Sequence, residues 1–447
     1  MSDSSVLGLA VRVVWEGTWG FAAGSALDQS AAQALARQAV AVARVSAPLN
    51  TDPVSLAPEP TYPDATWVSD YEIDPFEVPF ADRLAVVLGR DAALLAAKGV
   101  NHVDSRLHTV KECTFYADLA GTSTTQQRVR THYSVTATHI GKAEFDDMRT
   151  LAPPVGRGWE WVTGAAGWDH DAELAALPEL LVEKVEAPSV EPRRYDLVID
   201  PSNLWLTIHE SIGHATELDR ALGYEANYAG TSFATPDKLG TLKYGTGLLN
   251  VTGDRTVQHG LASVGYDDDG VLSQSWDLVK NGILVGYQTD RRIAKHAGLE
   301  RSNGCAYADS PLHIPIQRMA NVSIAASPGG PSTDQLIAGV EDGIYIVGDK
   351  SWSIDMQRYN FQFTGQRFYR IRNGQLSGML KDVAYQATTT DFWGSMVAIG
   401  GPQTWVLGGA FNCGKAQPGQ VAAVSHGCPT AVFENINVLN AVAEAGQ

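Results

Sequence analysis

Cysteine is scarce. The 447 residues contain four, Cys113, Cys305, Cys413 and Cys428, at separations that form no framework, so a fold stapled by disulfides, which is short, secreted and cysteine-dense, is not expected. Long apolar runs are also missing. No stretch approaches the ~18 consecutive apolar residues that cross a bilayer, and Met1 to Ala10 lacks a basic segment leading into an apolar core. The expectation is a cytoplasmic protein with no membrane contact. Positive charge is in deficit: 33 Lys and Arg against 50 Asp and Glu give a formal net charge of −17. Such a surface repels phosphates, so no nucleic-acid partner is expected. No internal repeat or low-complexity tract is present. What remains is a turn-rich globular composition of 44% hydrophobic residues, 43 Gly and 21 Pro, long enough for two or three domains.

Residues 7–23 alternate apolar and polar about Glu16-Gly17, which predicts a β-hairpin, and residues 25–47 change to helical periodicity with Asp28 or Ser30 as N-cap. Residues 51–79 carry six Pro and read as an extended crossing segment. A second helix is expected over 82–98, then two strands over 102–114 and 127–139 with a turn at Ala120-Gly121-Thr122. Residues 146–161 read as loop, and 171–184 as a helix that Pro178 should kink or split. Residues 195–200 form a short buried strand that Pro201 ends, and further strands are expected within 275–287, 314–324, 343–346, 360–371 and 421–438. The acidic run Asp267-Asp268-Asp269-Gly270 lacks the alternation and closing Glu of a calcium loop and reads as a solvated hairpin turn. The fold class is α+β. A sheet-plus-helices domain over residues 1–190 precedes a β-rich domain over 191–447, a barrel or a strongly curved sheet.

The stretch from Ile208 to Asp219, IHESIGHATELD, concentrates two imidazoles and three carboxylates in a dozen residues. In the pattern H-E-x-x-H, two His at i and i+4 share a helix face and bind zinc while the Glu serves as base. Here His209 and His214 are one residue further apart, which on a regular helix sets them about 140° apart. For both to reach one metal, the helix must widen by a π-bulge across Ser211, Ile212 and Gly213, and the glycine would ease it. The alternative is an amphipathic helix with incidental polar residues. A catalytic zinc also needs a third protein ligand. Cys413, in GGAFNCGK with Lys415 to favour its thiolate, and Cys428, in HGCP, are equal candidates on local chemistry. Cys113 and Cys305 read as buried, inert thiols.

The string HESIGHATELDR resembles the H-E-x-x-x-H signature of the TldD/PmbA family of zinc metallopeptidases. The likeness continues in order through GLAVRVVWEGTWGFAA, YAGTSFATPDKLGTLKYG, DDDGVLSQSWDLVKNGILVGYQTDRRIA, PIQRMANVSI, FQFTGQRFYRIRNGQL and CGKAQPGQ…GCPTAVFENINV. The resemblance implies one zinc ion per active subunit, held by His209, His214 and Cys413, with Cys428 structural and Glu210 as general base. It makes Glu217 and Asp219 either orienting partners of the imidazoles or caps. The reaction would be hydrolysis of unfolded or short peptides bound as an added strand, with His426 or Arg318 as further donors; Arg318 otherwise serves as a hydrogen-bond hub. The resemblance further implies a TldD-type, metal-bearing subunit that pairs with a homologous PmbA-type subunit as a heterodimer, or with itself as a homodimer. Family members usually carry a further strand and helix before the GLAVRV-like strand, so the N-terminal domain is expected to be shortened. A non-catalytic PmbA-like partner and a zinc hydrolase of a non-peptide amide are the alternative readings.

Overall fold

Five strands in the C-terminal half close into a barrel. Arg193–Ile199 pairs in parallel with Asp342–Ile354 and antiparallel with Ala431–Asn440, which pairs with Val383–Thr388. That strand pairs with Asn360–Arg372, which returns antiparallel to Asp342–Ile354 and completes the ring. Closure leaves no free edge in the ring itself. Gln375–Leu380 and Met396–Ile399 are appended to two of its members. The α+β class and the barrel expected from the alternating pattern are therefore observed, in a computed structural model that describes residues 3–142, 145–416 and 418–445.

One face of these strands, with Leu197, Ile199, Ile346, Phe363, Tyr385 and Phe433, belongs to a continuous core that also takes in Leu204, Trp205, Ile208 and Ile212. Each such side chain contributes about 1.5–3 kcal/mol when fully buried. The opposite face, including Val198 and Val432, meets Leu336, Ile337 and Val340. The helix Pro201–Ile208 leaves the barrel strand directly: Asp200 caps it by accepting from Ser202 N at 2.9 Å, and Pro201 occupies the first helical position, where no N–H is needed. Above the helix lies a separate two-stranded hairpin, Val406–Lys415 with Gln420–Cys428. A Cβ on its Gly408 would fall 2.6 Å from Trp205 Cγ, so glycine permits the close approach of hairpin to helix.

The N-terminal part opens with the hairpin Leu9–Trp15 and Thr18–Gly24, turned at Glu16 and Gly17 with φ of 47° and 74°. It packs on the helix Gln29–Ser46, capped by Asp28. Next comes a sheet of Ala65–Val68, Ser123–Ile140, His102–Ala117 and Phe145–Arg149, whose core includes Leu174, Leu177, Leu181 and Val185 of the helix His170–Glu186. Hydrogen bonds tie this part to the C-terminal half, among them Gly156 N to His259 O at 2.8 Å and Arg149 to Asp349 at 2.9 Å.

Several local expectations are corrected. The crossing segment contributes the parallel strand Ala65–Val68, and the expected loop over 146–161 contains the strand Phe145–Arg149 and the short helix Trp159–Val162. Pro178 does not split its helix, which runs on from His170 to Glu186. The proline forfeits one N–H bond, and the buried leucine face of the same helix offsets that loss. The glycine-rich stretch over residues 228–286, which the alternating pattern reads as rich in strands, is largely irregular, with strands at Val251–Asp254, Ser275–Lys280 and Ile283–Leu284. The acidic turn is not solvated: Asp267 and Asp269 are 2% and 4% exposed, and Asp267 accepts N–H bonds from Asp269, Val271 and Ala306. No helix among the described residues is long and apolar enough to cross a membrane.

Candidate metal centre

Beyond Ile208 the helix widens into a π-turn over His209–Gly213 and tightens into a 3₁₀ turn over His214–Thr216. The N–H of His214 bonds back to His209 O, an i→i+5 bond that sets one His above the other, and the two rings lie 4.7 Å apart. The extra residue is absorbed where the spacing predicted. Gly213 has a second reason to be glycine, since a Cβ there would fall 2.6 Å from Met319 Sδ. Widening frees carbonyls, and each finds a donor: Tyr244 Oη donates to Ser211 O at 2.5 Å, Thr216 Oγ1 to Ile212 O at 2.8 Å, and Gln288 Nε2 to Gly213 O at 2.7 Å.

The structure gathers His209, His214 and Cys413, with one donor atom from each and all of these within 4.8 Å of one another. All three side chains are buried. Their hydrogen bonds decide what they present. Val322 O can only accept, so His426 Nδ1, 3.0 Å away, carries a proton, and its Nε2 is a lone pair. His209 Nδ1 must then donate to His426 Nε2 at 2.7 Å, which leaves His209 Nε2 unprotonated. Likewise His214 Nδ1 donates to the Glu217 carboxylate at 2.7 Å, and its Nε2 stands 3.7 Å from Cys413 Sγ. Two imidazoles and a cysteine sulfur thus converge, the donor set a zinc ion takes.

Cys413 sits on a bulge of its hairpin. Burial resists its ionisation, yet His214 and Arg318 together hold the thiol below its ordinary value. Arg318 Nη2 donates to Cys413 O at 2.5 Å and lies 3.4 Å from Sγ, while Nη1 donates to Gln420 O at 2.9 Å. Arg318 is therefore the hub that joins both strands of the hairpin, and it is also the cation beside the sulfur. Lys415, expected in that place, turns away to Glu217 at 3.1 Å and Asp219 at 2.7 Å. Burial works against the charge on Glu217, but Lys415 and then His214 keep it well below the usual carboxylate range.

Glu210 is buried and accepts from Arg358 Nη1. Burial opposes its charge, but His214, His209 and Arg358 hold its carboxyl below the ordinary value. Sequence reading missed Arg358, 148 residues downstream of Glu210. A turn presents it: Asp355 accepts from the N–H groups of Gln357, Tyr359 and Asn360, and Arg358 takes a left-handed φ of 64°. Nothing in the local pattern of that turn signals a functional role. Cys428 is buried beside Pro201 O, outside the cluster. Cys305 is buried, with burial pushing its thiol up to about 12, whereas Cys113, expected to be buried, is exposed. A cavity of about 500 Å³ near Arg194 and Asn437, and another of about 370 Å³ near Arg255, are lined by none of the cluster residues.

Residues 192–440 match the family model described as the PmbA/TldA metallopeptidase C-terminal domain. A metalloprotease of Methanocaldococcus jannaschii is 25% identical over 393 residues, 86% of this chain and 81% of that protein. A zinc metalloprotease TldD homolog of Saccharolobus solfataricus is 26% identical over 272 residues, 61% of this chain and 57% of that protein. Among solved structures, TldE from Thermococcus kodakarensis superposes with a TM-score of 0.70 over 96% of this chain and 88% of that chain, at 14% identity, a likeness of fold.

Proposed function

From the premise that this chain belongs to the PmbA/TldD metallopeptidase family, we propose that it is a zinc-dependent peptidase whose ion is held by His209, His214 and Cys413, with Glu210 as general base. The observation that carries this reading is the pair of imidazoles whose outer nitrogens are both committed to hydrogen-bond partners, which leaves Nε2 of each as the nitrogen that can take a metal together with Cys413. Zinc, when bound, supplies a Lewis acid that polarises a scissile carbonyl and lowers the pKa of water. Glu210, ionised at neutral pH, takes the proton of the attacking water and returns it to the leaving amine. Arg358 fixes one carboxylate oxygen of Glu210, and the other is left to meet the water. Glu217 and His426 lock the tautomers of the two His.

The substrate is an unfolded or short peptide. In support, the hairpin bearing Cys413 is a two-stranded sheet, and among the described residues no further strand pairs with Val406–Lys415. An extended peptide can take that edge, reading backbone more than side chains. Residues 191–447 form the catalytic unit and residues 1–190 cover it. Pairing with a PmbA-type subunit or with a second copy is supported by the fold shared with TldE. The test is metal analysis of the purified chain together with mass spectrometry of a denatured-peptide mixture. We expect one zinc per active subunit and cleavage that Glu210→Gln abolishes while zinc is retained. A chain that takes up no zinc overturns the reading in favour of a non-catalytic partner; cleavage of a non-peptide amide alone moves the activity to another hydrolase class.

A further inference from the structure

The cavity of about 370 Å³ lies where the N-terminal sheet meets the segment after Asp254, and it is bordered by Arg128, Arg130 and Arg255. These three guanidiniums are not equivalent. Arg128 and Arg130 both close on Glu112, the second at 2.6 Å, and Tyr307 Oη donates to the same carboxylate at 2.8 Å. Arg255 is 3% exposed, its Nε has no partner, and among the described residues its guanidinium makes neither an ion pair nor a hydrogen bond. The nearest acids are already engaged by the backbone, Asp267 by three N–H groups and Asp268 by that of Ala308. Asp267 and Asp268 lie close enough to act on its charge, but a buried guanidinium without hydrogen-bond acceptors remains costly. The orphan guanidinium borders a cavity, and a ligand anion entering there would complete it.

Resting on the peptidase reading above, we propose that this cavity is a subsite for a carboxylate of the peptide, its C-terminal carboxylate or an acidic side chain, received by Arg255. The planar fork of arginine matches a carboxylate in two parallel bonds. Trp67, Val129, Leu261 and Val264 line the same cavity and suit the apolar parts of a peptide segment. Two connections set the cavity near the metal cluster. Leu261 N donates to Ser425 Oγ at 3.0 Å, and Ser425 precedes His426 in the chain. On the strand Ser123–Ile140, Arg128, Arg130 and His132 alternate onto one face, and His132 stacks on Phe411, two residues before Cys413, with ring centres 6.2 Å apart. At ~3.4 Å per residue along a strand, the step from Arg130 to His132 is about 7 Å. An extended peptide of a few residues covers the distance from the cavity to the sulfur.

The experiment uses the full chain without zinc, so that nothing is turned over, and three fluorescently labelled hexapeptides of one sequence: a free acid, its C-terminal amide, and an amide with an internal Asn changed to Asp. Anisotropy titrations are expected to show the free acid or the Asp peptide binding about tenfold more tightly than the plain amide, as one charge-assisted bidentate contact gives. Whichever of the two gains identifies the source of the carboxylate. Arg255→Met should remove the contrast and Arg255→Lys should retain part of it, with unfolding temperatures recorded for both. Equal affinity of the wild type for all three peptides overturns the proposal without reference to any variant, and a contrast that survives in Arg255→Met overturns the assignment to Arg255. A binding contrast in a protein that cleaves no peptide once zinc is restored would uphold the subsite and remove the peptidase reading, so the two fail separately.

Discussion

Replacing His426 by alanine removes the acceptor that fixes the ring of His209. In the wild type a chain of two bonds, Val322 O to His426 at 3.0 Å and His426 to His209 at 2.7 Å, settles which nitrogen of His209 is protonated. Without His426 the Nδ1–H of His209 is buried and unpaired, and so is one lone pair of Val322 O. Each such loss costs about 1–3 kcal/mol of stability. Freed of its partner, His209 can also adopt the tautomer with a protonated Nε2, which cannot ligate. Loss of an outer hydrogen-bond partner typically lowers metal affinity about 10–100-fold, which corresponds to about 1.4–2.7 kcal/mol. Competition titration against a chromophoric zinc chelator, at fixed pH, measures this directly. His426→Gln offers a carbonyl to His209 and an amide to Val322, so it should recover part of the loss. Cys428→Ala deletes another buried side chain of the same strand but touches no proposed ligand, and should lower the unfolding temperature while leaving zinc affinity unchanged. Zinc affinity in His426→Ala within twofold of wild type would refute the reasoning, as would an equal loss in Cys428→Ala.

Two further outcomes follow from buried ion pairs. Arg358→Met leaves the carboxylate of Glu210 without its cation in a site where the Arg358 side chain is 15% exposed and that of Glu210 7%; breaking such a pair costs about 3–5 kcal/mol, so urea unfolding should shift by that order and kcat should fall, with Arg358→Lys restoring part of both. Burial resists the charge on Glu112, but Arg128 and Arg130 hold its carboxyl down to about 2 against an ordinary 4.5. Because the folded value is the lower one, the pairing stabilises fully above about pH 4.5 and is lost as pH falls toward 2. Unfolding midpoints measured from pH 6 downward should therefore drop less steeply in Glu112→Gln than in wild type, and parallel curves would contradict the assignment.

The i,i+5 spacing of His209 and His214, with Gly213 before the second, was enough to predict a widened helix, because backbone geometry translates residue count into angle. Alternation along the C-terminal strands was enough to predict a barrel or curved sheet. Closure was not legible, since it depends on Asp342–Ile354 pairing with both Arg193–Ile199 and Asn360–Arg372, and pairing between remote strands leaves no mark in either one alone. The same limit applies around the cluster. Arg358 beside Glu210, Arg318 beside Cys413 and the capture of Gly213 O by Gln288 each join residues 75 to 148 positions apart. Local pattern reports that a position is buried, not which distant group meets it there. Lys415 shows how proximity in sequence misleads: two residues from Cys413 and on the same face of the strand, it is spent on the carboxylates of Glu217 and Asp219 and not on the sulfur. Asp267 was misread for a related reason, because the three amides that satisfy it include Ala306, which lies 39 residues on.

The two His are separated from the sulfur by 199 residues of chain, counted from His214 to Cys413. Translated at about 5–20 residues per second, the stretch between them takes about 10–40 s to make. For that interval a nascent chain owns half of the proposed centre: an imidazole pair, with the His426 partner of His209 and the proposed third ligand yet to be synthesised. If the proposed peptidase activity holds, the enzyme would stay unarmed while its own unfolded segments are the nearest peptides within reach.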